Sequence, residues 1–160
     1  MSLTFGVEKL YDFLLEVVAM SHAHWEEVAA DKNAVPLDID WQRYLELDAN
    51  GTLFCVVARD EGKFAGYYTY LVHKPLRYKS SIFAECDVFY LAPDYRKGTS
   101  GIRLIRESER LLKAYVGGPV RVITRTKLKR AGIEEEKQDL GPVFERLGYK
   151  PIERVYTKII

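Results

Sequence analysis

Residues Pro93–Ile105 read PDYRKGTSGIRLI, and this stretch decides the fold. An apolar segment, Ser81–Ala92, precedes it and predicts a β-strand that ends at Pro93, because proline cannot donate to a sheet ladder. From Gly101 to Tyr115 apolar residues recur at steps of three and four, which predicts an amphipathic helix. The order strand, turn, helix places several backbone N–H groups at one helix N-terminus, which is a ready site for an anion.

The turn itself suits a diphosphate. Its small residues, Gly98–Gly101, let a phosphate approach the backbone, and Arg96, Lys97 and Arg103 add positive charge. Taken alone, the segment is equally consistent with a tight strand-to-helix turn that uses its glycines for flexibility and a hydroxyl residue as the helix cap.

Periodicity and turn residues place the remaining elements around this unit. We predict helices over Val7–Val18, Asp40–Leu47 and Pro142–Leu147, a hairpin of Thr52–Ala58 with Phe64–Val72, a short strand over Val120–Thr124, and one or two strands in Tyr149–Ile160. Asp38 or Asp40 is the expected cap of the second helix. The order fits an α/β or α+β sheet in a single domain spanning residues 1–160.

Composition narrows the class of protein. With 48% hydrophobic residues the chain has material for a core, and its formal charge of +1 gives no overall attraction to nucleic acid or to an anionic membrane. Cys55 and Cys86 lack C-x-x-C spacing, which favours reduced thiols over a disulfide framework or a metal site. The apolar positions near the N-terminus are interrupted by acidic residues, and no apolar run approaches the roughly 20 residues of a membrane span. We therefore expect a soluble, cytoplasmic protein.

The segment PDYRKGTSGIRLI resembles the signature of the GNAT superfamily of N-acetyltransferases: a strand, a Pro-x-Tyr-Arg step, an Arg/Gln-x-x-Gly-x-Gly/Ala turn and a helix. Two N-terminal helices, the EGKFAGYY hairpin and FERLGYK near the end extend the resemblance over most of the chain. It implies a mixed, mainly antiparallel central sheet with helices on both faces. The implied activity is transfer of an acetyl group from acetyl-CoA, as acyl-donor cosubstrate, to a primary amine.

The resemblance also implies where the donor binds. Contacts to the pyrophosphate fall on the turn, at Arg96, Lys97, Gly98, Thr99, Ser100, Gly101 and Ile102. The pantetheine arm pairs with the backbone of Phe89, Tyr90 and Leu91. Thr99 stands where the family usually has its first motif glycine, so Gly98 would take the flexible role one residue early.

Aminolysis of a thioester needs a base for the amine and a proton donor for the thiolate. Glu85 is the candidate base, and strand alternation puts it on one face with Asp87, Phe89 and Leu91. Asp87 is alternatively a site for a substrate cation. For both carboxylates a solvated strand face or an ion pair remains the simpler interpretation.

The proton donor departs from the family pattern. The usual tyrosine before the Leu-Gly-aromatic step is replaced here by Phe144, whose ring has no proton to give. Tyr149 is our candidate acid, with Tyr156 or water as alternatives.

The acceptor pocket in this family is formed partly by the loop between the first two helices. That position corresponds to His24, Trp25 and Glu26, of which we select His24 and Trp25 as substrate-binding candidates. A metal is not expected, because His22 and His24 at i and i+2 point to different helix faces.

Two further expectations concern partners. The resemblance implies a homodimer formed through the C-terminal strands, whereas the basic run Lys127–Arg130 is too short for a nucleic-acid module and is typical of a solvated loop. The alternative to an enzyme is a catalytically silent GNAT-like module that binds CoA or a protein, which Phe144 and Thr99 would favour.

Overall fold

The structure is a computed structural model that describes residues 2–29, 31–126 and 140–160. Residues 1–124 and residues 125–160 form two compact units. In the first unit the elements are β1 (Leu3–Val7), α1 (Leu10–Val28), α2 (Trp41–Ala49), β2 (Leu53–Asp60), β3 (Lys63–His73), β4 (Ile82–Leu91), α3 (Ser100–Val116) and β5 (Val120–Ile123). A 3-10 turn at Pro93–Tyr95 joins β4 to α3, and α4 (Gly141–Arg146) lies in the second unit.

The described strands form one sheet in the order β1-β2-β3-β4-β5. The first four pair antiparallel with their neighbours, whereas β5 runs parallel to β4. Helices cover both faces: Cys55 of β2 belongs to the core that packs under α1, while its neighbour Phe54 points the other way, with its ring 4.8 Å from that of Tyr115 on α3. The mixed, mainly antiparallel sheet predicted from the sequence is confirmed.

The two N-terminal helices are joined by a buried carboxylate. Asp48 on α2 is 6% exposed and accepts the backbone N–H of Leu10 at 3.1 Å, so it caps the N-terminus of α1. Lys9 lies 3.6 Å from the same carboxylate and donates to the Asp48 carbonyl. On the inner face of α1, Phe13 and Val17 are buried in the core. These contacts fix the position of α1 over the sheet.

Several predicted elements are confirmed with small shifts of their ends. The hairpin of β2 with β3 forms, and the strand, turn and helix unit of β4 and α3 lies where PDYRKGTSGIRLI predicts it. Asp40 is the cap of α2, where its carboxylate accepts the backbone N–H of Arg43 at 2.8 Å.

The structure differs from the predicted elements in three places. The strand β1 was not predicted, because LTFGV is short and is held by its pairing with β2 rather than by its own pattern. Helix α1 continues ten residues past Val18 to Val28, so His24 and Trp25 lie on a helix and not in a loop. Residues 149–160 form no strand, and Ile152, Tyr156 and Ile159 are exposed.

In residues 2–29, 31–126 and 140–160, no helix combines the length and the apolar character needed to cross a membrane.

Candidate active site

The turn after β4 is shaped by one glycine. Gly98 has φ +59°, the left-handed conformation that glycine adopts without a steric penalty, while Thr99 has φ −103°. Gly98 thus takes the flexible role that the family motif gives to the next residue. At Gly101, a Cβ would lie 3.8 Å from the Phe89 ring and 3.9 Å from Leu91, which are ordinary contact distances.

The turn presents unpaired donors at the start of α3. Within the described residues, the backbone N–H groups of Gly98, Thr99, Gly101 and Ile102 have no hydrogen-bond acceptor. Thr99 does not cap the helix with its side chain, and the Ser100 hydroxyl donates to the Lys97 carbonyl at 3.1 Å. These amides, together with the helix dipole, make the turn a cradle for an anion.

The sequence predicts that Arg96 and Arg103 add positive charge to the anion site, but in the structure both side chains bind other parts of the protein. Arg96 donates from Nε to the Leu91 carbonyl at 2.6 Å, and its Nη atoms meet both carboxylate oxygens of Glu27 on α1 at 2.9 and 3.0 Å. Arg103 donates to the Leu3 carbonyl at 3.0 Å. Both guanidinium groups therefore hold the protein together, because a fixed fork of donors matches a carboxylate or a carbonyl. Lys97 is exposed at the turn.

A β-bulge in β4 changes which side chains share a face. Cys86 pairs with Tyr70 and Val88 with Thr69, so Asp87 is the extra residue. Beyond the bulge Val88 faces the core under α1, whereas the Phe89 ring lies 4.9 Å from that of Tyr68 on the other face. The prediction that Phe89 and Leu91 share a face with Glu85 and Asp87 is wrong, because simple alternation does not survive an inserted residue.

The outer edge of β4 opens beyond the bulge. β5 pairs with β4 only from Ile82 to Glu85, so in the described residues Phe89–Leu91 have no partner on that side. The Ala92 N–H donates to the Ala65 carbonyl on β3, and alternation then turns the backbone of Tyr90 toward β3 and that of Phe89 and Leu91 toward the open edge. Of the three residues predicted to bind pantetheine, two thus turn backbone groups toward this edge, where the Leu91 carbonyl already accepts from Arg96.

A cavity of about 190 Å³ lies between the N-terminal helices and the strands β3 and β4. His24, Trp25 and Asp87, the three residues predicted to bind the acceptor, all line it. Sequence reasoning missed Trp41 and Tyr44, which line it from α2. Their aromatic spacing was readable as a helix face, but nothing in the sequence showed that this face turns toward Asp87.

Asp87 and Tyr44 form the polar end of the cavity. The Tyr44 hydroxyl donates to Asp87 Oδ2 at 2.7 Å. Burial, followed by the Asp87 charge, raises the pKa of Tyr44 well above its ordinary value, and the same two causes raise the pKa of Tyr67. Both phenols therefore stay protonated near neutral pH. In the described part of the chain, no lysine or arginine forms an ion pair with Asp87.

Glu85 lies on the same strand but outside the lining of the cavity. Its Oε1 is 3.1 Å from His73 Nε2, and its side chain is 31% exposed. Glu85 pairs with Ile123 in the last step of the β4–β5 ladder, so it marks the point where the two strands part.

The candidate acid lies in the second unit. Tyr149 packs edge to face on Phe144, with the ring centroids 5.1 Å apart. The basic run at residues 127–130 lies outside the described residues.

Comparison with known proteins is consistent with these features. The model of the acetyltransferase (GNAT) family matches residues 17–131. No curated protein matches the chain significantly. A GCN5-related N-acetyltransferase from Ralstonia eutropha JMP134 is 18% identical, with a TM-score of 0.71 over 99% of each chain. An aminoglycoside acetyltransferase from an uncultured soil metagenomic sample, in complex with sisomicin, is 14% identical, with a TM-score of 0.66 over 99% of this chain and 97% of that one.

These structures share the fold, and the family model covers well over half of the sequence. The chain therefore belongs to the GNAT family of acetyltransferases.

Proposed function

We propose that this protein transfers an acetyl group from acetyl-CoA to a primary amine. The observation that carries the proposal is the arrangement along β4. Its bulge directs Asp87 toward the cavity, and its open edge follows at Phe89–Leu91. The strand then leads into the turn, where four amides have no acceptor among the described residues. One strand thus connects an acceptor site to a donor site.

The donor would lie along the outer edge of β4. The amides of Gly98, Thr99, Gly101 and Ile102 would hold its diphosphate, as helix N-termini hold phosphates elsewhere. The backbone groups of Phe89 and the N–H of Leu91 would pair with the pantetheine arm, as an added strand pairs with a sheet edge; the Leu91 carbonyl is already held by Arg96. Lys97 is the exposed cation left at this turn to balance the phosphate charge, because Arg96 and Arg103 are held by the protein.

Asp87 would hold the acceptor as its ammonium form, and Glu85 would take a proton to release the neutral amine. The amine nitrogen then attacks the thioester carbon, the N–C bond forms, and the C–S bond breaks with its electron pair leaving on sulfur. The nitrogen gives its second proton to water, and the CoA thiolate takes one from a proton donor and leaves as the thiol; water then returns a proton to that donor. We propose Tyr149 as the donor of the proton that the thiolate takes. The variant Tyr149→Phe tests this role, and the quantity to measure is kcat.

The acceptors of structural relatives do not assign the acceptor here, because identities of 14–18% support the fold alone. The silent-module alternative keeps one argument, which is that Phe144 replaces the usual proton donor. Against it, the cavity offers a carboxylate with no described lysine or arginine partner, a feature that a purely structural module has no need of.

The homodimer expected from the sequence also remains a proposal. Ile152, Val155 and Tyr156 are exposed on a segment that forms no strand in the chain, and a second copy would cover such apolar side chains. Sedimentation velocity decides it: a single species of 18.5 kDa at micromolar concentration would refute the dimer.

Calorimetric titration tests donor binding. We expect acetyl-CoA and CoA to bind with similar affinity and ATP to bind at least about tenfold more weakly, a difference of about 1.4 kcal/mol, because ATP offers phosphates but no pantetheine for the β4 edge. If ATP bound with the same affinity as acetyl-CoA, the turn would be a general site for phosphate groups and not a specific site for the donor. Absence of heat with acetyl-CoA would refute the proposed donor site.

A further inference from the structure

The walls of the cavity are apolar over most of their surface. Its apolar lining includes Val17, Trp25, Val28, Leu37, Ile39 and Trp41. These side chains come from both N-terminal helices and from the segment that joins them, while β3 and β4 form the floor. A ligand body in this space therefore gains from burial of apolar surface rather than from hydrogen bonds.

Negative charge lies at a single place in the described lining of the cavity. Asp87 is the one carboxylate among the described lining residues, and it is exposed, so it lies at the mouth. The Tyr44 hydroxyl fixes one of its oxygens at 2.7 Å, which orients the carboxylate. One carboxylate balances one ammonium group. A polycation would leave its other charges against apolar walls, where an unpaired charge is costly.

The volume limits the part of the ligand that the cavity encloses. An engineered apolar protein cavity of about 150 Å³ binds benzene. This cavity, at about 190 Å³, holds one such ring with a short alkyl arm. With the ring inside, the arm reaches outward to Asp87 at the mouth.

We propose that the acceptor is a primary monoamine with an apolar body of about one aromatic ring and a short alkyl arm, whose ammonium group pairs with Asp87. The assignment rests on the proposed acetyl transfer, whose acceptor class it names. Tyr44 is a positioning residue, since it acts through the carboxylate that it orients.

The chain contains its own reporter for this site. Its two tryptophans, Trp25 and Trp41, both line the cavity, so intrinsic fluorescence measures occupancy without any turnover. The probe is 2-phenylethylamine, and its matched control is 2-phenylethanol, which has the same body without the cation. Spermidine serves as the polycation without an apolar ring.

We expect 2-phenylethylamine to change the tryptophan emission with saturation, at concentrations at least about tenfold lower than either control compound. Asp87→Asn should remove the difference between the concentrations of amine and alcohol needed to change the emission. Tyr44→Phe should reduce this difference by a few fold. Asp12→Asn removes an exposed carboxylate of α1 that is not among the residues lining the cavity, and it should leave this difference unchanged. Binding of spermidine as tight as that of 2-phenylethylamine, or an unchanged preference in Asp87→Asn, would overturn the proposal.

Product analysis in the same samples separates this inference from the proposed function. Acetylation of spermidine but not of 2-phenylethylamine would refute the proposed acceptor class and leave the proposed acetyltransferase activity standing. Saturable binding of 2-phenylethylamine through Asp87, with no acetylated product from any amine, would support the cavity chemistry and refute the enzyme.

Discussion

Gly101→Glu is expected to abolish acetyl-CoA binding while the protein stays folded. The substitution sets a carboxylate beside the amides of Gly98–Ile102, where the donor diphosphate would lie, and two anions then compete for the same donors. We expect the Kd for acetyl-CoA to rise at least about 100-fold, or about 2.8 kcal/mol, in calorimetric titration. The free energy of unfolding of this variant should not fall, because an acidic side chain is favourable in the first turn of a helix.

Two variants control for this effect. Gly101→Ala places its Cβ at ordinary contact distances, 3.8 Å from Phe89 and 3.9 Å from Leu91, so its Tm should match that of the unmodified protein. Gly118→Glu adds the same charge just beyond the other end of α3, where a Cβ meets nothing within 4 Å. Acetyl-CoA binding that survives Gly101→Glu would remove the turn from the donor site.

Glu85→Gln is expected to lower kcat by about 100-fold or more, since general base catalysis commonly contributes that much. Gln keeps the size of the side chain and its contact with His73 but cannot take a proton. The Kd for acetyl-CoA should not change, because the donor contacts lie farther along β4. The acidic limb of the pH profile of kcat should also disappear.

Asp87→Asn is the matched control for Glu85→Gln, as the same chemical change two residues away. It should act mainly on the KM of the amine, because Asp87 would bind the ammonium group rather than accept its proton. A Glu85→Gln enzyme with unchanged kcat and pH profile would exclude Glu85 as the base. An effect of Asp87→Asn on kcat alone would assign the base to Asp87 instead.

The order of the central elements was predictable from the sequence because each carries a local signal. The strand before Pro93, the turn at Gly98 and the helix after Gly101 follow from proline, glycine and apolar spacing. The bulge at Asp87 left no such signal, since an inserted residue in a strand does not alter its composition. Every inference about the faces of β4 that extended past Asp87 therefore failed.

Three residues that line the cavity could be selected from the sequence, but the contacts of the selected residues could not be predicted. His24, Trp25 and Asp87 were selected separately, and the structure brings them into one cavity. Arg96 was expected to face the donor, yet Glu27, 69 positions earlier in the chain, holds it. A pairing of this kind depends on how α1 packs over the sheet, which no local pattern of residues reveals.

Acetyl transfer itself is the most direct test of the account. The purified protein is mixed with acetyl-CoA and a set of primary amines, including 2-phenylethylamine, and both the free CoA thiol and the acetylated amines are quantified. We predict thiol release that depends on the amine and matches the amount of acetylated amine. Tight acetyl-CoA binding without any acetylated amine would contradict the account and establish the chain as a silent CoA-binding module.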